Sequence, residues 1–189
     1  MLRAARVLSH PCGGCIEAKS ISISTVGLVP QLVRFAEEGH RFRLIVSLHS
    51  AIADKRRRLL PVAGRWSLDE LAGAIRLLHA RTGDRVTVAW VVLAGVNTGA
   101  DEVRALRGLL GDVPLRINLI DVNPTGGDDA PAEAFRRASP DELARFLDEL
   151  QLLGQPIVRR YSGGGNRDAA CGMLASRRLE RSPRDDAAQ

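Results

Sequence analysis

Aromatic residues are scarce in this chain: among its 189 residues there are four phenylalanines, two tryptophans and one tyrosine. Lysine is scarcer still, because Lys19 and Lys55 are the only two and arginine carries nearly all the positive charge. The core must therefore be built from leucine, valine, isoleucine and alanine. Arginine suits phosphate contacts, so an RNA or DNA partner is plausible. With so few rings to stack on bases, composition supports such a partner only weakly.

Long apolar runs are also absent. No stretch approaches the roughly 20 residues that span a bilayer, and residues 1–8 are too short and too broken to predict a signal peptide. With 45% hydrophobic residues and a net charge of +5, a chain of this length predicts one domain with a sizeable core. We expect a cytoplasmic protein with no membrane partner.

Cysteine is limited to Cys12, Cys15 and Cys171. An odd number in a chain with no secretion signal favours free thiols or ligands over disulfides. The C-x-x-C formed by Cys12 and Cys15 has no second ligand pair at zinc spacing. It also precedes a predicted strand, whereas a thioredoxin-type redox motif lies between a strand and a helix. We interpret both residues as turn residues and predict no metal site.

Short runs rich in valine and isoleucine predict five strands. Several are almost continuously apolar, which is typical of parallel strands buried on both faces. The predicted strands cover residues 20–24, 44–49, 85–93, 116–122 and 156–161.

Helix signals alternate with these strands. Ser67 with Glu70, and Ser139 with Glu142, have the spacing of capping boxes and predict helices to about residues 81 and 153. Residues 30–38 and 101–110 have the spacing of shorter helices. Strands and helices in this rhythm predict an α/β fold with right-handed parallel crossovers, in which function collects at the carboxyl ends of the strands.

Polar residues follow those strand ends, and each allows a functional or a structural interpretation. His49 could be a general base, a cofactor contact or a structural residue. Asn123 before Pro124 could bind a ligand or simply shape a turn. The runs 56–58 and 159–160 are arginines that are usually solvated but could also bind phosphate.

Cys171 lies among small residues, just after the glycines at 163–165. It could be a small buried cysteine at the start of a helix. Alternatively, its thiol could be approached closely by a ligand, since the neighbouring alanines and glycines leave space.

Six segments, taken in order, resemble one family. Residues 21–30, ISISTVGLVP, resemble the ITVSTVGxVP signature of the radical S-adenosylmethionine RNA methyltransferases of the RlmN/Cfr type. The resemblance runs from about residue 20 to residue 176, and no single segment is diagnostic without the others. The other matching segments are 46–49 (xSLHA type), 59–62 (LxPI), 90–97 (YVLLxGVN), 117–124 (NLIPxNP) and 168–174 (DxAACGQL).

The resemblance implies a partial parallel (βα) barrel of the radical S-adenosylmethionine type and a reaction on RNA. Such enzymes methylate C2 of an adenosine in ribosomal RNA, and some also act on transfer RNA, using S-adenosylmethionine and a 4Fe-4S cluster. By this resemblance Cys171 matches the cysteine that carries the methyl group. The positions that contact S-adenosylmethionine match Ser24, Ser47, Leu48, His49 and Asn123.

The chain also departs from the family. The C-x-x-x-C-x-x-C cluster motif and the GMGEP-type strand are absent, and Cys12 and Cys15 offer two thiolates where three are needed. Ala89 and Ala94 replace residues that are often acidic, and Met173 replaces a glutamine. We expect residues 1–178 to be the C-terminal part of a barrel whose first strands are missing, followed by a disordered tail at 179–189.

Three hypotheses follow for function. The first is that the chain is the C-terminal portion of an RNA methyltransferase and is inactive alone. The second is that it is a non-catalytic remnant or subunit that binds RNA or S-adenosylmethionine and needs a partner chain for the missing half. The third is that its fold hosts unrelated chemistry, since α/β barrels serve many reactions.

Overall fold

The computed structural model describes residues 1–122 and 135–160. Asn123, Cys171 and the predicted tail 179–189 lie outside this part of the chain. Within it, parallel strands alternate with α-helices. The strands are β1 (Ser22–Thr25), β2 (Arg43–Ser47), β3 (Val86–Val92), β4 (Leu115–Asp121) and β5 (Ile157–Arg160). The helices are α1 (Leu2–Ser9), α2 (Val29–Glu37), α3 (Ala53–Leu59), α4 (Leu68–Thr82), α5 (Ala100–Leu110) and α6 (Pro140–Gln151).

All five strands are parallel and lie in one sheet in the order β1-β2-β3-β4-β5. Each crossover therefore moves the chain by one strand in the same direction, and right-handed crossovers of this kind place their helices on a single face. A doubly wound sheet would instead reverse its order partway. The α/β prediction is confirmed.

The core lies between the sheet and its helices. Alternate side chains of β3, including Val88 and Trp90, join a buried cluster with residues of α2, α4, α5 and α6. Thr87 and Ala89 alternate with them and are also buried, at 3% and 5% exposure. The central strand is thus buried on both faces, as its continuous apolar run predicts.

Local signals place the two long helices. Ser67 and Glu70 form the complete capping box of α4, and Gly83, with a φ of 68°, ends it in the left-handed conformation. In α6 only half of the predicted box forms: Ser139 Oγ accepts from the Glu142 backbone N–H at 3.2 Å. The Glu142 carboxylate accepts instead from Gly95 N–H at 2.7 Å and from the Thr98 hydroxyl.

Other boundaries differ from the sequence-based expectation. Residues Ala18–Ser20 form a 3-10 turn, so β1 begins at Ser22 rather than at residue 20. The seven-residue α3 was not predicted, because fewer than two turns give little apolar periodicity. In the part of the chain that the structure describes, no helix has the length and apolar character needed to cross a bilayer.

Candidate active site

The structure brings four of the predicted site residues to neighbouring strand ends. Ser24 lies in β1 and is exposed, and Ser47 is the last residue of the adjacent β2. Leu48 and His49 follow directly; Leu48 is fully buried in the core and His49 is partly exposed. Asn123 and Cys171 lie outside the described residues, so their predicted roles stay predictions.

His49 is held as a neutral imidazole. Its Nδ1 lies 3.0 Å from the backbone N–H of Val91, which can only donate, so the neutral ring carries its proton on Nε2. Burial, reinforced by the nearby charge of Arg56, lowers the pKa of His49 to about 4. At neutral pH the other ring nitrogen, Nε2, therefore carries a hydrogen and can only donate a hydrogen bond. This favours a cofactor contact over a general base, which would need a free lone pair.

Asn97 fixes the backbone of that histidine, which has a φ of 58°. The Asn97 side chain is fully buried, and its Nδ2 donates to the carbonyls of His49 at 2.7 Å and Val91 at 2.8 Å. Its Oδ1 accepts from the Leu93 N–H at 2.8 Å. One amide thus ties the end of β3 to the loop after β2 and leaves none of its own hydrogen-bonding groups unpaired.

Glu102 holds the next part of the same loop. This carboxylate of α5 is fully buried and accepts from Ser50 Oγ at 2.8 Å and from Ala51 N–H at 2.9 Å. Lys55 Nζ lies 3.4 Å away and compensates its charge. Glu142 of α6 also anchors residues 95 and 98. Three helices therefore pack polar side chains against the candidate site: α3 through Lys55, α5 through Glu102 and α6 through Glu142. A loop fixed this way can present His49 in one orientation.

Arg56 corrects the sequence-based interpretation of the run 56–58. The sequence left this run either solvated or in contact with phosphate, and the first alternative is wrong for Arg56, which is only 4% exposed. Its Nη2 donates to Val26 O at 2.7 Å and to Ser47 O at 3.4 Å, and so links the ends of β1 and β2. Burial lowers the pKa of Arg56 below its ordinary value.

Gly27 makes room for this arginine. Its φ is 89°, and a Cβ there would lie 3.0 Å from Leu71 Cδ1 and 3.1 Å from Arg56 Nη2. Three consecutive arginines give no periodic signal, so the sequence does not distinguish Arg56 from the other two. Gly27 stands out in the sequence only as part of the segment 21–30.

The remaining predicted charges are solvated or paired. Arg159 Nη2 donates to Asp121 Oδ2 at 2.8 Å, and Arg137 lies 3.5 Å from the same oxygen. Arg159 remains more than half exposed, so this pair at the end of β4 contributes little to stability.

The two cysteines of the C-x-x-C lie where the sequence predicts them, in an exposed turn after α1. Cys15 Sγ donates to the Pro11 carbonyl at 2.8 Å. Among the residues that the structure describes, no group of three metal-ligating side chains comes together. A 4Fe-4S cluster, which needs three protein thiolates to leave one iron open, does not fit this part of the chain.

A cavity of about 500 Å³ lies at the opposite edge, where the strands begin. Arg41, Arg43, Arg85 and Arg116 line it, and none of the four site residues that the structure describes does. In a parallel α/β sheet, chemistry collects at the carboxyl edge. The edge that carries Ser24, Ser47 and His49 is therefore the candidate active site.

Sequence comparisons relate the chain to RNA methyltransferases. It is 51% identical over 178 residues to a probable RNA methyltransferase of Anaeromyxobacter, covering 94% of this chain and 51% of that protein. It is 40% identical to a probable dual-specificity RNA methyltransferase RlmN of Symbiobacterium thermophilum, covering 94% of this chain and 47% of the other. None of the known protein-family models matches the chain.

Solved structures agree with that relationship. A radical SAM methyltransferase from Sphaerobacter thermophilus superposes with a TM-score of 0.78 at 40% identity, over 91% of this chain and 49% of the other. A domain of a pyruvate-formate lyase-activating enzyme from Bacteroides vulgatus, 13% identical with a TM-score of 0.51, shares the fold alone. The chain spans about half the length of the curated relatives that it matches. From this agreement of sequence and fold, the chain is homologous, over about half of their length, to RNA methyltransferases of the RlmN type and to a radical SAM methyltransferase.

Proposed function

We propose that this chain forms the carboxyl-terminal half of an RNA methyltransferase that modifies C2 of an adenosine in ribosomal RNA, with transfer RNA as a second substrate. The observation that carries the proposal is the meeting of Ser24, Ser47 and His49 at one strand edge, in a chain homologous to RNA methyltransferases. Work on RNA would place the protein in the cytoplasm, which stays a prediction.

The described residues suit S-adenosylmethionine as a ligand. The hydroxyls of Ser24 and Ser47 and the Nε2–H of His49 offer hydrogen-bond donors along one edge. The carboxylate, the ribose and the adenine nitrogens of S-adenosylmethionine offer the matching acceptors. When bound, S-adenosylmethionine supplies the methyl group. We assign Leu48 a contact through its backbone, because its side chain is buried in the core.

Two further residues complete the proposed site from outside the described part of the chain. Asn123 directly follows the described end of the β4 segment, and we assign it to the cofactor as well. We assign Cys171 as the thiol that accepts the methyl group before it reaches RNA. We place the ligands of the family's cluster outside the described residues, because those residues supply no suitable set. Because the whole sequence has three cysteines and no C-x-x-x-C-x-x-C motif, we expect the chain alone to be inactive.

A chimera tests this proposal. In the Sphaerobacter thermophilus methyltransferase, the half that this chain matches would be replaced by this chain. The purified chimera and the isolated chain would be incubated anaerobically with S-adenosylmethionine, a reductant and unmodified ribosomal RNA, and the nucleosides measured by mass spectrometry. We expect 2-methyladenosine from the chimera and none from the isolated chain.

The control is Cys171→Ala in the chimera. It should abolish 2-methyladenosine while leaving iron content and S-adenosylmethionine binding unchanged, because the cluster ligands lie elsewhere. Methylation that persists in this variant would remove Cys171 from the reaction. A well-folded, iron-loaded chimera that modifies no adenosine would contradict the proposed function and favour a non-catalytic binding role.

A further inference from the structure

A small cavity lies on the outer side of the strand edge that carries the candidate site. Its volume is about 370 Å³, and it lies between α3, the 3-10 turn at Pro61–Arg65 and the beginning of α4. Its lining includes Arg56, Arg57, Arg65 and Trp66. Among the motifs described above, only the arginine run 56–58 suggests a ligand there, a phosphate.

Positive charge dominates this cavity. Three arginines line it, and Asp69 is the single carboxylate among its lining residues. Arg57 lies 3.3 Å from Asp54, but both side chains are mostly exposed and such a pair holds weakly. The backbone N–H of Glu70 is already bound by Ser67, so the amino end of α4 is not the source of the attraction.

Among the three arginines of the cavity, Arg56 would gain most from a bound anion. It is 4% exposed, and within residues 1–122 and 135–160 no carboxylate lies within 4.0 Å of its guanidinium. Its Nε is buried and finds no acceptor there. A buried charge with neither counter-ion nor full hydrogen bonding is destabilising, and a phosphate in the adjacent cavity would supply the missing counter-ion.

Trp66 adds a surface for a base. Of the two tryptophans, Trp90 is 1% exposed in the core, whereas Trp66 is partly exposed and lines the cavity. A ring beside several guanidiniums is the combination by which proteins bind single-stranded nucleic acids: the ring stacks on a base and the cations contact phosphates. A purely anionic ligand would not require the tryptophan.

The cavity is also next to the candidate active site. Arg56 lines it and at the same time donates to the carbonyls of Val26 and Ser47 at the ends of β1 and β2. We propose that the cavity binds one nucleotide of the RNA substrate beside the methylated adenosine, with its base on Trp66 and its phosphate at Arg56, Arg57 and Arg65. This inference rests on RNA being the substrate, as proposed above.

Fluorescence anisotropy with a labelled ten-nucleotide single-stranded RNA and the purified chain tests the inference. Trp66→Ala should weaken binding on the order of tenfold, and Trp66→Phe should restore most of it, because a phenyl ring still stacks. Arg65→Gln should weaken binding and reduce the slope of log affinity against log salt by about 0.7, the value for one phosphate contact in single strands. The matched control is Arg104→Gln, which removes an exposed arginine of α5 outside the cavity.

Several outcomes would overturn the inference. One is equal RNA affinity in the Trp66→Ala, Arg65→Gln and Arg104→Gln variants, with their folding verified by circular dichroism. Another is the absence of RNA binding by the wild-type chain. A third is displacement of the RNA by inorganic pyrophosphate at an equal concentration of phosphate groups. That result would mean that the cavity binds anions without recognising a nucleotide.

The methylation assay separates this inference from the proposed function. A chimera that makes 2-methyladenosine, together with RNA affinity that ignores Trp66 and Arg65, would overturn only the inference. RNA affinity that depends on both residues, with no modified adenosine from a loaded chimera, would overturn the function and leave of the inference only the nucleotide site itself.

Discussion

His49 shows how one residue's surroundings decide its chemistry. A histidine at a strand end is equally compatible with a base, a ligand contact or a structural role when only its position in the sequence is known. The Val91 N–H at Nδ1 and the burial of the ring remove the first alternative. Neither the hydrogen bond nor the burial could be predicted from the sequence, because Val91 lies 42 residues further along the chain.

The pKa of His49 has a consequence for stability. Because it is lowered to about 4 in the folded state and is about 6.5 when unfolded, the unfolded chain binds more protons between those values. Stability should therefore be greatest above pH 6.5 and fall as the pH drops toward 4, by roughly 3 kcal/mol in full.

Urea unfolding between pH 4 and pH 7.5, with the ring of His49 followed by NMR, measures this effect. His49→Asn is the matched control, since asparagine tolerates the left-handed backbone and does not titrate in this range. It should lose most of the pH dependence between 4 and 6.5. An unchanged slope in that variant would assign the effect to other groups.

Gly27 allows a second test at the level of one residue. Gly27→Ala combines a positive φ with a Cβ that meets Leu71 and Arg56 at 3.0 and 3.1 Å. We expect a loss of about 2–3 kcal/mol in the free energy of unfolding, from backbone strain and crowding together. Thermal and urea unfolding would measure it.

Gly39→Ala is the control for that variant. Gly39 has a similar φ of 64°, but a Cβ there would meet nothing within 4 Å. Gly39→Ala should lower the free energy of unfolding by only about 1 kcal/mol, which is the conformational part of the effect. If both variants lose the same amount, the close approach of Arg56 to Gly27 has no energetic weight.

At the scale of the elements, signals confined to a few residues were reliable. The capping box at Ser67 correctly predicts the start of α4, and Gly83 ends the helix, because each acts on its own turn. Glu142 differs: its spacing predicts a bond back to Ser139, but its carboxylate contacts Gly95 and Thr98 in another loop. A short-range pattern cannot anticipate a competing partner that only the folded chain supplies.

The joint between β3 and the loop after β2, meaning the hydrogen bonds that connect them, depends on Asn97. Asn97→Asp keeps the shape of the side chain but replaces the donor to the His49 and Val91 carbonyls with a buried carboxylate oxygen. Two hydrogen bonds become repulsive contacts, so we expect a loss of about 3 kcal/mol or more at neutral pH. Urea unfolding measures that loss.

Hydrogen exchange can show where that damage falls. In Asn97→Asp, the amides of Val91 and Leu93 should lose protection well before those of β4, since the structure couples them to the Asn97 side chain or its partners. Asn118→Asp offers a comparison at another buried asparagine of the sheet. Uniform loss of protection throughout the sheet would mean that Asn97 supports the whole fold rather than this joint.

For the whole molecule, the sequence predicts the parallel sheet and the edge where the site lies, because strand order and crossover handedness follow general rules. It does not predict the buried polar contacts of Arg56, Asn97 and Glu102, whose longest-range hydrogen bonds join residues 30, 48 and 52 positions apart. The family resemblance located Ser24, Ser47 and His49. Only the folded structure identifies the residues that hold them in position.

The edge of β1 leads to a prediction about association. Within the described residues β1 pairs only with β2, and just before β1 the carbonyl of Ile21 accepts from Arg43 N–H. Because backbone groups alternate sides along a strand, the N–H of Ser22 points to the free edge. An edge with unpaired donors is a template for pairing with another chain, so the isolated protein should self-associate as its concentration rises.

Ser22→Pro removes one of those donors at the first position of the strand, where proline is tolerated. The preceding Ile21 is already extended, with φ −88° and ψ 120°, as a residue before proline must be. Sedimentation velocity over a concentration series should show markedly weaker self-association than in Ser22→Thr, which keeps the N–H, at nearly equal thermal stability. Equal association in two folded variants would place the contact elsewhere on the molecule.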